Sequence, residues 1–133
     1  MTDASRPSPQ TILIVEDEAL VRLAAFDLAV EAGYEALEAS NADEAIKILE
    51  SREDIRLIFT DIDMPGTMDG LKLAAYVRTR WPPIKIVVAS GKAVVEEGLL
   101  PAGSRFFSKP YRDDTLLGTL TELLSEARQD PGL

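Results

Sequence analysis

The sequence predicts an α/β protein with one doubly wound, five-stranded parallel sheet. Five short apolar runs are each followed by a stretch with helical periodicity, and this alternation is typical of a parallel sheet with helices on both faces. The 133 residues are enough for one domain with its own core. No internal repeat or linker to a second domain is visible, so we expect a single domain.

The first two predicted strands flank the first predicted helix. Residues 12–15 form an apolar run, which favours a strand. Residues 18–32 carry apolar side chains at helical spacing, and Gly33 is a suitable stop for this helix. Residues 34–39 alternate between polar and apolar, as a half-exposed edge strand does. The apolar positions of the helix are Val21, Ala24, Ala25 and Leu28.

The third predicted strand lies between two further helices. Asn41 and Glu44 resemble a capping arrangement, with Asn in place of the usual Ser or Thr, so a helix should begin behind them. The apolar run at residues 55–60 predicts a strand, and the helix at about residues 69–80 ends before a pair of prolines. The inward positions of the two helices are Ala42, Ala45, Ile46, Leu49, Leu73, Ala74 and Val77.

The last two strands are separated by the weakest helical pattern in the chain. Residues 84–89 are almost entirely apolar, as in a central buried strand. Residues 92–103 include two glycines and a proline, so we expect only a short, mobile helix there. Residues 106–108 form the fifth strand, and residues 113–127 form the last helix. That helix carries a stripe of leucines at positions 116, 117, 120, 123 and 124.

The composition argues against several kinds of function. There are 23 acidic and 14 basic residues, and the resulting net charge of −9 disfavours binding to nucleic acid or to anionic membranes. The chain has no cysteine and no histidine, which excludes thiolate chemistry, imidazole ligands and acid–base catalysis by histidine. A phosphoryl group that arrives on a histidine must come from another molecule. The sequence shows no signal peptide and no apolar stretch of about 20 residues, so we expect a cytoplasmic protein.

Charged and hydroxyl-bearing residues follow four of the predicted strands at the point where each ends. These residues are Glu16 and Asp17, Asp61, Ser90 and Lys109. The carboxyl ends of parallel strands meet at one edge of the sheet, where ligands bind. Carboxylates about 4 Å apart repel each other by roughly 4 kcal/mol at an effective dielectric constant of about 20, so their cluster needs a cation. Carboxylate oxygens suit Mg²⁺, and we expect a site for this metal and a phosphoryl group.

Four motifs in this order resemble the receiver domain of bacterial two-component response regulators, of the chemotaxis-regulator type. The motifs are IVEDE, FTDIDMPG, VVASG and FFSKP. Each is short, but their order and spacing over residues 10–127 are specific to this family. The resemblance implies a flavodoxin-like (βα)5 fold with strand order 2-1-3-4-5. It places a receiver domain at residues 11–127, after a disordered tail at residues 1–10 and before a C-terminal tail at residues 128–133.

The resemblance also implies a role for each acidic residue. Asp61 would be the phospho-acceptor. Glu16 and Asp17 would be the metal-binding acid pair and, together with Asp61 and the backbone carbonyl of Asp63, would bind Mg²⁺ or Mn²⁺.

The family pattern assigns three further residues to catalysis and switching. Lys109 would pair with the acyl phosphate, and its bond to Pro110 would be cis, as is usual in this family. Ser90 would be the hydroxyl that moves toward the phosphoryl group. Phe106 would turn into the space that Ser90 vacates, and the readout face would comprise the predicted helix at residues 92–103, the last strand and the last helix.

The implied function is signalling rather than turnover of a substrate. A sensor histidine kinase or a phosphotransfer protein would donate the phosphoryl group, and a downstream protein would read the result, with a homodimer as one outcome. The chain would catalyse only its own phosphorylation and dephosphorylation. No output segment follows residue 127, so we expect a stand-alone regulator, a phosphate sink or a relay intermediate.

The sequence departs from the family pattern at four positions. Asp63 adds a carboxylate that would bind metal, influence the attacking water or, as the safest interpretation, point to solvent. Thr67 is an extra residue in the turn after Asp61, and a tolerated surface insertion is the favoured interpretation. Phe106 lacks the hydroxyl of a tyrosine and is equally well interpreted as plain core. Gly91 leaves little side chain beside the site and is either an access point or a turn glycine.

Two rival functions use the same residues differently. A pseudo-receiver would keep the fold as an interaction module without phosphorylation. A phosphatase of the haloacid-dehalogenase type would use Asp61 as nucleophile and Asp63 as general acid and base, with Mg²⁺. That family usually carries its motif on the first strand, and it would leave Glu16 and Asp17 without a role.

Overall fold

Five parallel strands form one sheet in the computed structural model, which describes residues 9–66, 68–91 and 100–129. The order of the strands across the sheet is β2-β1-β3-β4-β5, so the predicted fold and strand order are confirmed. The central strands are buried on both faces, which explains why their sequences are nearly continuous apolar runs. The strands are β1 (Thr11–Val15), β2 (Glu35–Ala39), β3 (Ile55–Asp61), β4 (Lys85–Ser90) and β5 (Arg105–Ser108).

Four helices are described, and they cover the two faces of the sheet in pairs. They are α1 (Ala19–Glu31), α2 (Ala42–Ser51), α3 (Gly70–Arg80) and α4 (Asp113–Gln129). Residues 92–99 lie outside the described part of the chain, and so does most of the short helix predicted at residues 92–103. Among the described residues, no helix is both long and apolar enough to cross a bilayer.

Side chains of β1 alternate between two separate apolar cores. Leu13 and Val15 point to the face that α2 and α3 cover, whereas Ile12 and Ile14 point to the face that α1 and α4 cover. All the predicted inward residues of α3 are fully buried, and four of the five leucines of α4 are buried. The hydrophobic periodicity therefore placed these two helices correctly.

Helix α1 carries apolar side chains on its exposed side as well as on its buried side. It buries Ala25 and Ala29, while Leu20 is 82% exposed and Leu23 is 51% exposed. Ala24, which the periodicity placed among the apolar face, is exposed. Gly33 has a φ of +97°, which a glycine adopts at little cost, and it follows the end of the helix as predicted.

The start of α2 confirms the predicted cap and adds a contact between Glu44 and Ser40. Asn41 Oδ1 accepts a hydrogen bond from the Glu44 backbone N at 2.9 Å. The Glu44 carboxylate accepts from the Ser40 backbone N and from the Ser40 hydroxyl, each at 2.7 Å. These two hydrogen bonds lower the pKa of Glu44. The side chain thus reaches one residue beyond the position expected for a capping box.

The end of α3 and the two ends of the domain are held by contacts within the domain. Trp81, which follows α3, packs against the core and lies 5.9 Å from Tyr76 between ring centroids. Residues 1–8 and 130–133, which make up most of the two predicted tails, lie outside the described residues. Gln10 donates from its side chain to the Leu124 backbone O at 3.1 Å, and helix α4 continues to residue 129.

Candidate functional site

The carboxyl ends of four neighbouring strands place the predicted site residues at one edge of the sheet. Glu16 directly follows β1, and Asp61 is the last residue of β3. Ser90 ends β4, where it pairs with Ser108, so Lys109 follows directly beside it. The sheet register therefore brings together residues that are far apart in sequence, as the strand-end argument predicted.

Three carboxylates form the acidic centre of this edge. One oxygen from each of Glu16, Asp17 and Asp61 lies within 4.8 Å of the other two. Glu16 and Asp61 are buried, with 4% and 6% exposure, and Asp17 is more exposed. Desolvation, followed by the neighbouring Glu16, raises the pKa of Asp17. A cluster of this kind is unfavourable without a compensating cation.

Lys109 supplies the positive charge that the cluster needs. Its Nζ donates to Glu16 Oε1 at 2.7 Å and lies 3.2 Å from Asp61 Oδ1. Partial burial alone would lower the pKa of Lys109, but its contacts with Glu16 and Asp61 outweigh that effect and raise the pKa. The peptide bond from Lys109 to Pro110 is cis, as the resemblance implied. The ammonium is therefore held charged and in place by two buried carboxylates.

One oxygen of Asp61 accepts no hydrogen bond from the described residues. This Oδ1 is buried, and the ammonium of Lys109 lies 3.2 Å from it as an ion-pair partner. A buried carboxylate oxygen without a donor is costly, and a metal ion is one of the partners that resolves it. The donor set consists of oxygens alone, which fits Mg²⁺. The cluster is therefore compatible with this metal.

Asp63 contacts the predicted switch residue. The Ser90 hydroxyl donates to Asp63 Oδ2 at 2.7 Å, so the interpretation of Asp63 as a solvent-directed side chain is wrong. The loop after β3 turns back toward the end of β4, because the Ile62 backbone N donates to the Ala89 backbone O at 2.9 Å. Alternation along a strand could not reveal this contact, since Asp63 lies beyond the end of β3.

An open cavity of about 710 Å³ gives access to the cluster. Five carboxylates and one ammonium line it, so it favours cations and the anionic groups that a bound cation can hold. The charged lining residues are Asp17, Glu18, Asp61, Asp63, Asp69 and Lys109, and Gly91 also lies at the wall, as predicted for this small residue.

Comparison with known proteins agrees with this geometry. A family model described as the response regulator receiver domain matches residues 12–121. The chain belongs to this receiver family. Receiver domains are signalling proteins rather than enzymes that turn over a separate substrate. The acidic cluster of this receiver is compatible with the binding of Mg²⁺.

Three relatives show the extent of the likeness. The response regulator protein FleR of Pseudomonas aeruginosa is 30% identical over 80% of this chain, which spans only 23% of FleR. A CheY-like receiver structure from Methanospirillum hungatei is 27% identical with a TM-score of 0.83, covering 92% of this receiver and 99% of the neighbour. The response regulator TrrA of Thermotoga maritima, solved in complex with Mg²⁺–BeF, is 27% identical with a TM-score of 0.74, covering 86% and 98%.

An aromatic cluster beneath the receiver site was not anticipated from the sequence. Tyr111 packs edge-to-face on Phe59, with ring centroids 5.8 Å apart, and on Phe107 at 6.0 Å. It lies beside Lys109 in a small internal cavity, and burial raises its pKa. The only signal in the sequence is an aromatic two residues after Lys109. Tyr111 and Phe59 therefore lie in the wall of a second, smaller cavity that shares Lys109 and Asp61 with the open one.

Three predicted features remain untested by this geometry. Phe106 is half-buried and packs against the core on the face of α2 and α3, so its rotation stays a prediction. Thr67 lies outside the described residues. The backbone carbonyl of Asp63 as a metal ligand also stays a prediction.

Proposed function

We propose that this receiver accepts a phosphoryl group on Asp61 from a phosphohistidine of a sensor kinase or phosphotransfer protein. One observation carries the proposal: a buried oxygen of Asp61 accepts no hydrogen bond from the described residues, and Asp61 lines an open cavity together with Lys109 and further carboxylates. The absence of histidine from the chain supports an external donor.

The transfer forms one bond and breaks another. An Asp61 carboxylate oxygen attacks the phosphorus of the donor, the N–P bond breaks, and its electron pair returns to the imidazole nitrogen of the partner. Lys109 lies 3.2 Å from Asp61 Oδ1 and neutralises charge that the phosphoryl group brings. Such reactions depend on positioning and on electrostatic stabilisation more than on covalent help from the protein.

Glu16, Asp17 and Asp61, with the backbone carbonyl of Asp63, would hold Mg²⁺ or Mn²⁺ in this site. When bound, the metal supplies positive charge for the phosphoryl oxygens. The likeness to TrrA, solved with Mg²⁺–BeF, supports this assignment. Glu16 is already bound to Lys109 at 2.7 Å, so we expect it to orient the lysine as well.

The signal would pass from Ser90 to Phe106. Ser90 lies on β4 and Phe106 lies on the neighbouring β5, which is the outermost strand on that side of the sheet. A change at Ser90 would then reach the surface around β5 and α4, where a downstream protein or a second copy of the chain would bind. Action as a stand-alone regulator in the cytoplasm is part of the same proposal.

Phosphotransfer to Asp61→Asn tests the acceptor directly. Radiolabelled phosphohistidine donors should label the wild type to one phosphoryl group per chain, and Asp61→Asn should take up no label. Asp54→Asn is the matched control, because Asp54 lies exposed just before β3, at the opposite end of that strand, in an ion pair with Arg52. It should be labelled like the wild type.

Two results would point elsewhere. Persistent labelling of Asp61→Asn would refute Asp61 as the acceptor. A wild type that no donor labels, and that beryllofluoride with Mg²⁺ leaves unchanged, would favour a pseudo-receiver. Continuous release of phosphate from small phosphomonoesters would favour the phosphatase.

A further inference from the structure

We infer that Asp63 is a positioning residue that holds the Ser90 hydroxyl away from Asp61 until Asp61 is phosphorylated. The inference rests on the proposed function, because it concerns the step that follows phosphorylation. Its structural basis is the 2.7 Å hydrogen bond from Ser90 Oγ to Asp63 Oδ2.

Backbone hydrogen bonds hold the end of the sheet on both sides of this side-chain bond. On one side, the Ile62 backbone N donates to the Ala89 backbone O at 2.9 Å. On the other side, the Lys109 backbone N donates to the Ser90 backbone O, also at 2.9 Å. Ser90 is 2% exposed, so its hydroxyl exchanges partners inside the protein rather than with bulk water. The side-chain bond therefore reports directly on the arrangement of the loop after β3.

A serine hydroxyl has one hydrogen and can donate it to one acceptor at a time. In the unmodified protein, Asp63 is a charged acceptor for that hydrogen, and bonds to charged acceptors are stronger than bonds between neutral groups. A phosphoryl oxygen on Asp61 can receive the hydroxyl only if Asp63 gives it up. Asp63 thus stabilises the unmodified arrangement in competition with the phosphoryl group.

Charge adds to this competition. A phosphoryl group adds roughly −1.5 to −2 charges at neutral pH. Asp61 and Asp63 line the same cavity, so the carboxylate of Asp63 faces the new charge after it loses its donor. Removal of the Asp63 side chain should therefore favour the phosphorylated arrangement on both counts.

A double-mutant cycle separates the hydrogen bond from general effects on stability. The wild type, Asp63→Ala, Ser90→Ala and the double variant are unfolded in urea, first without any ligand. We expect the two substitutions to be coupled by about tenfold in the unfolding constant, the size of a hydrogen bond to a charged acceptor. With Mg²⁺ and beryllofluoride as the phosphoryl mimic, the coupling factor should fall to about one, which means that the effects of the two substitutions become additive. Additive effects without the mimic, or equal coupling with it, would overturn the inference.

The matched control is Asp69→Asn combined with Ser90→Ala. Asp69 lines the same cavity but accepts its hydrogen bond from the Lys72 backbone N, so its coupling to Ser90 should be absent. Should Asp63→Ala not fold, Asp63→Asn replaces it, because the amide keeps one acceptor oxygen and should show smaller but measurable coupling.

Affinity for the mimic gives a readout that a purely structural role would not move. Asp63→Ala should bind beryllofluoride with Mg²⁺ several-fold more tightly than the wild type, as measured from the NMR signal of the Gly91 amide, a residue present in every variant. The gain should be smaller in the Ser90→Ala background, where only the charge effect remains. An unchanged or weaker affinity of Asp63→Ala would contradict the competition. A wild type that does not respond to the mimic would instead overturn the proposed function, and with it the transfer of the Ser90 hydroxyl from Asp63 to the phosphoryl group. That holds even if Asp63 and Ser90 are coupled in the absence of the mimic.

Discussion

Gly70 is the position where one added methyl group should disturb the site most. It is the first residue of α3, and its backbone N donates to the Ile62 backbone O at 3.0 Å. A Cβ at this position would lie 2.7 Å from Ile62 Cα and 2.8 Å from the Asp61 carbonyl carbon, and closer still to the Asp61 carbonyl oxygen. These are backbone atoms, so no flexible side chain can move aside.

The size of the expected effect follows from these distances. Ordinary contacts begin at 3.4 Å, so the backbone at Ile62 must move by about 0.7 Å, and the Asp61 carbonyl by more. Overpacking of this kind costs roughly 1–3 kcal/mol, against up to about 1 kcal/mol gained when alanine replaces glycine in a helix. We expect Gly70→Ala to lower the free energy of unfolding by about 1–2 kcal/mol. Because Asp61 moves with the loop, its phosphorylation should slow by about ten- to a hundredfold.

Urea unfolding and a phosphorylation time course measure the two effects separately. Gly118→Ala is the matched control, since a Cβ at Gly118 in α4 would meet nothing within 4 Å. That substitution should raise the free energy of unfolding by about 0.5–1 kcal/mol and leave phosphorylation unchanged. A Gly70→Ala protein that is as stable as the wild type and is phosphorylated at the same rate would refute the argument from close approach.

Four further predictions concern the aromatic contacts of Tyr111, the cap of α2, the pH dependence of stability and the metal. Tyr111→Leu should lower the free energy of unfolding by about 1 kcal/mol or more through lost edge-to-face contacts, whereas Tyr111→Phe should stay near the wild type in thermal unfolding. Asn41→Ala should cost about 1 kcal/mol in urea unfolding. The pKa of Glu44 is lowered in the folded protein, so this carboxylate stabilises the fold at pH values above the ordinary pKa of a glutamate, and its contribution is lost as the pH falls. The free energy of unfolding of Glu44→Gln, measured in urea at several pH values, should therefore decrease less in acid than that of the wild type. Asp17→Asn should weaken the Mg²⁺-dependent rise in melting temperature, and an unchanged rise would exclude Asp17 as a ligand.

The three central strands could be predicted because they are buried on both faces. β1, β3 and β4 each form an apolar run, β2 shows the alternation of an edge strand, and the leucine stripe of α4 has a single period. Helix α1 was harder to orient, because an apolar helix has no polar face to mark the solvent side. Leu20 and Leu23 are exposed on it, and Ala29 is buried although Ala24 is not. Only the contacts with β1, β2 and α4 determine its rotation.

The strand-end residues of the site could be predicted for a geometric reason. Parallel strands end at one edge, so Glu16, Asp61 and Lys109 had to be neighbours once the strands were known. The bond between Asp63 and Ser90 could not be predicted in this way, because the direction of a side chain in a loop depends on backbone contacts that the sequence does not display. The packing of Tyr111 on Phe59 joins residues whose contact depends on the complete fold.

The contacts of Lys109 support the proposal that Asp61 rather than Glu16 accepts the phosphoryl group. Glu16 takes the hydrogen bond from the ammonium at 2.7 Å, so its oxygen is engaged and its position is fixed. Asp61 Oδ1 lies farther from the same nitrogen, at 3.2 Å, and accepts no hydrogen bond from the described residues. The carboxylate of Asp63, two residues further on, accepts the hydrogen bond of the Ser90 hydroxyl. Of these three carboxylates, Asp61 at the end of β3 therefore combines a buried oxygen without a hydrogen bond from the described residues and a place in the wall of the open cavity.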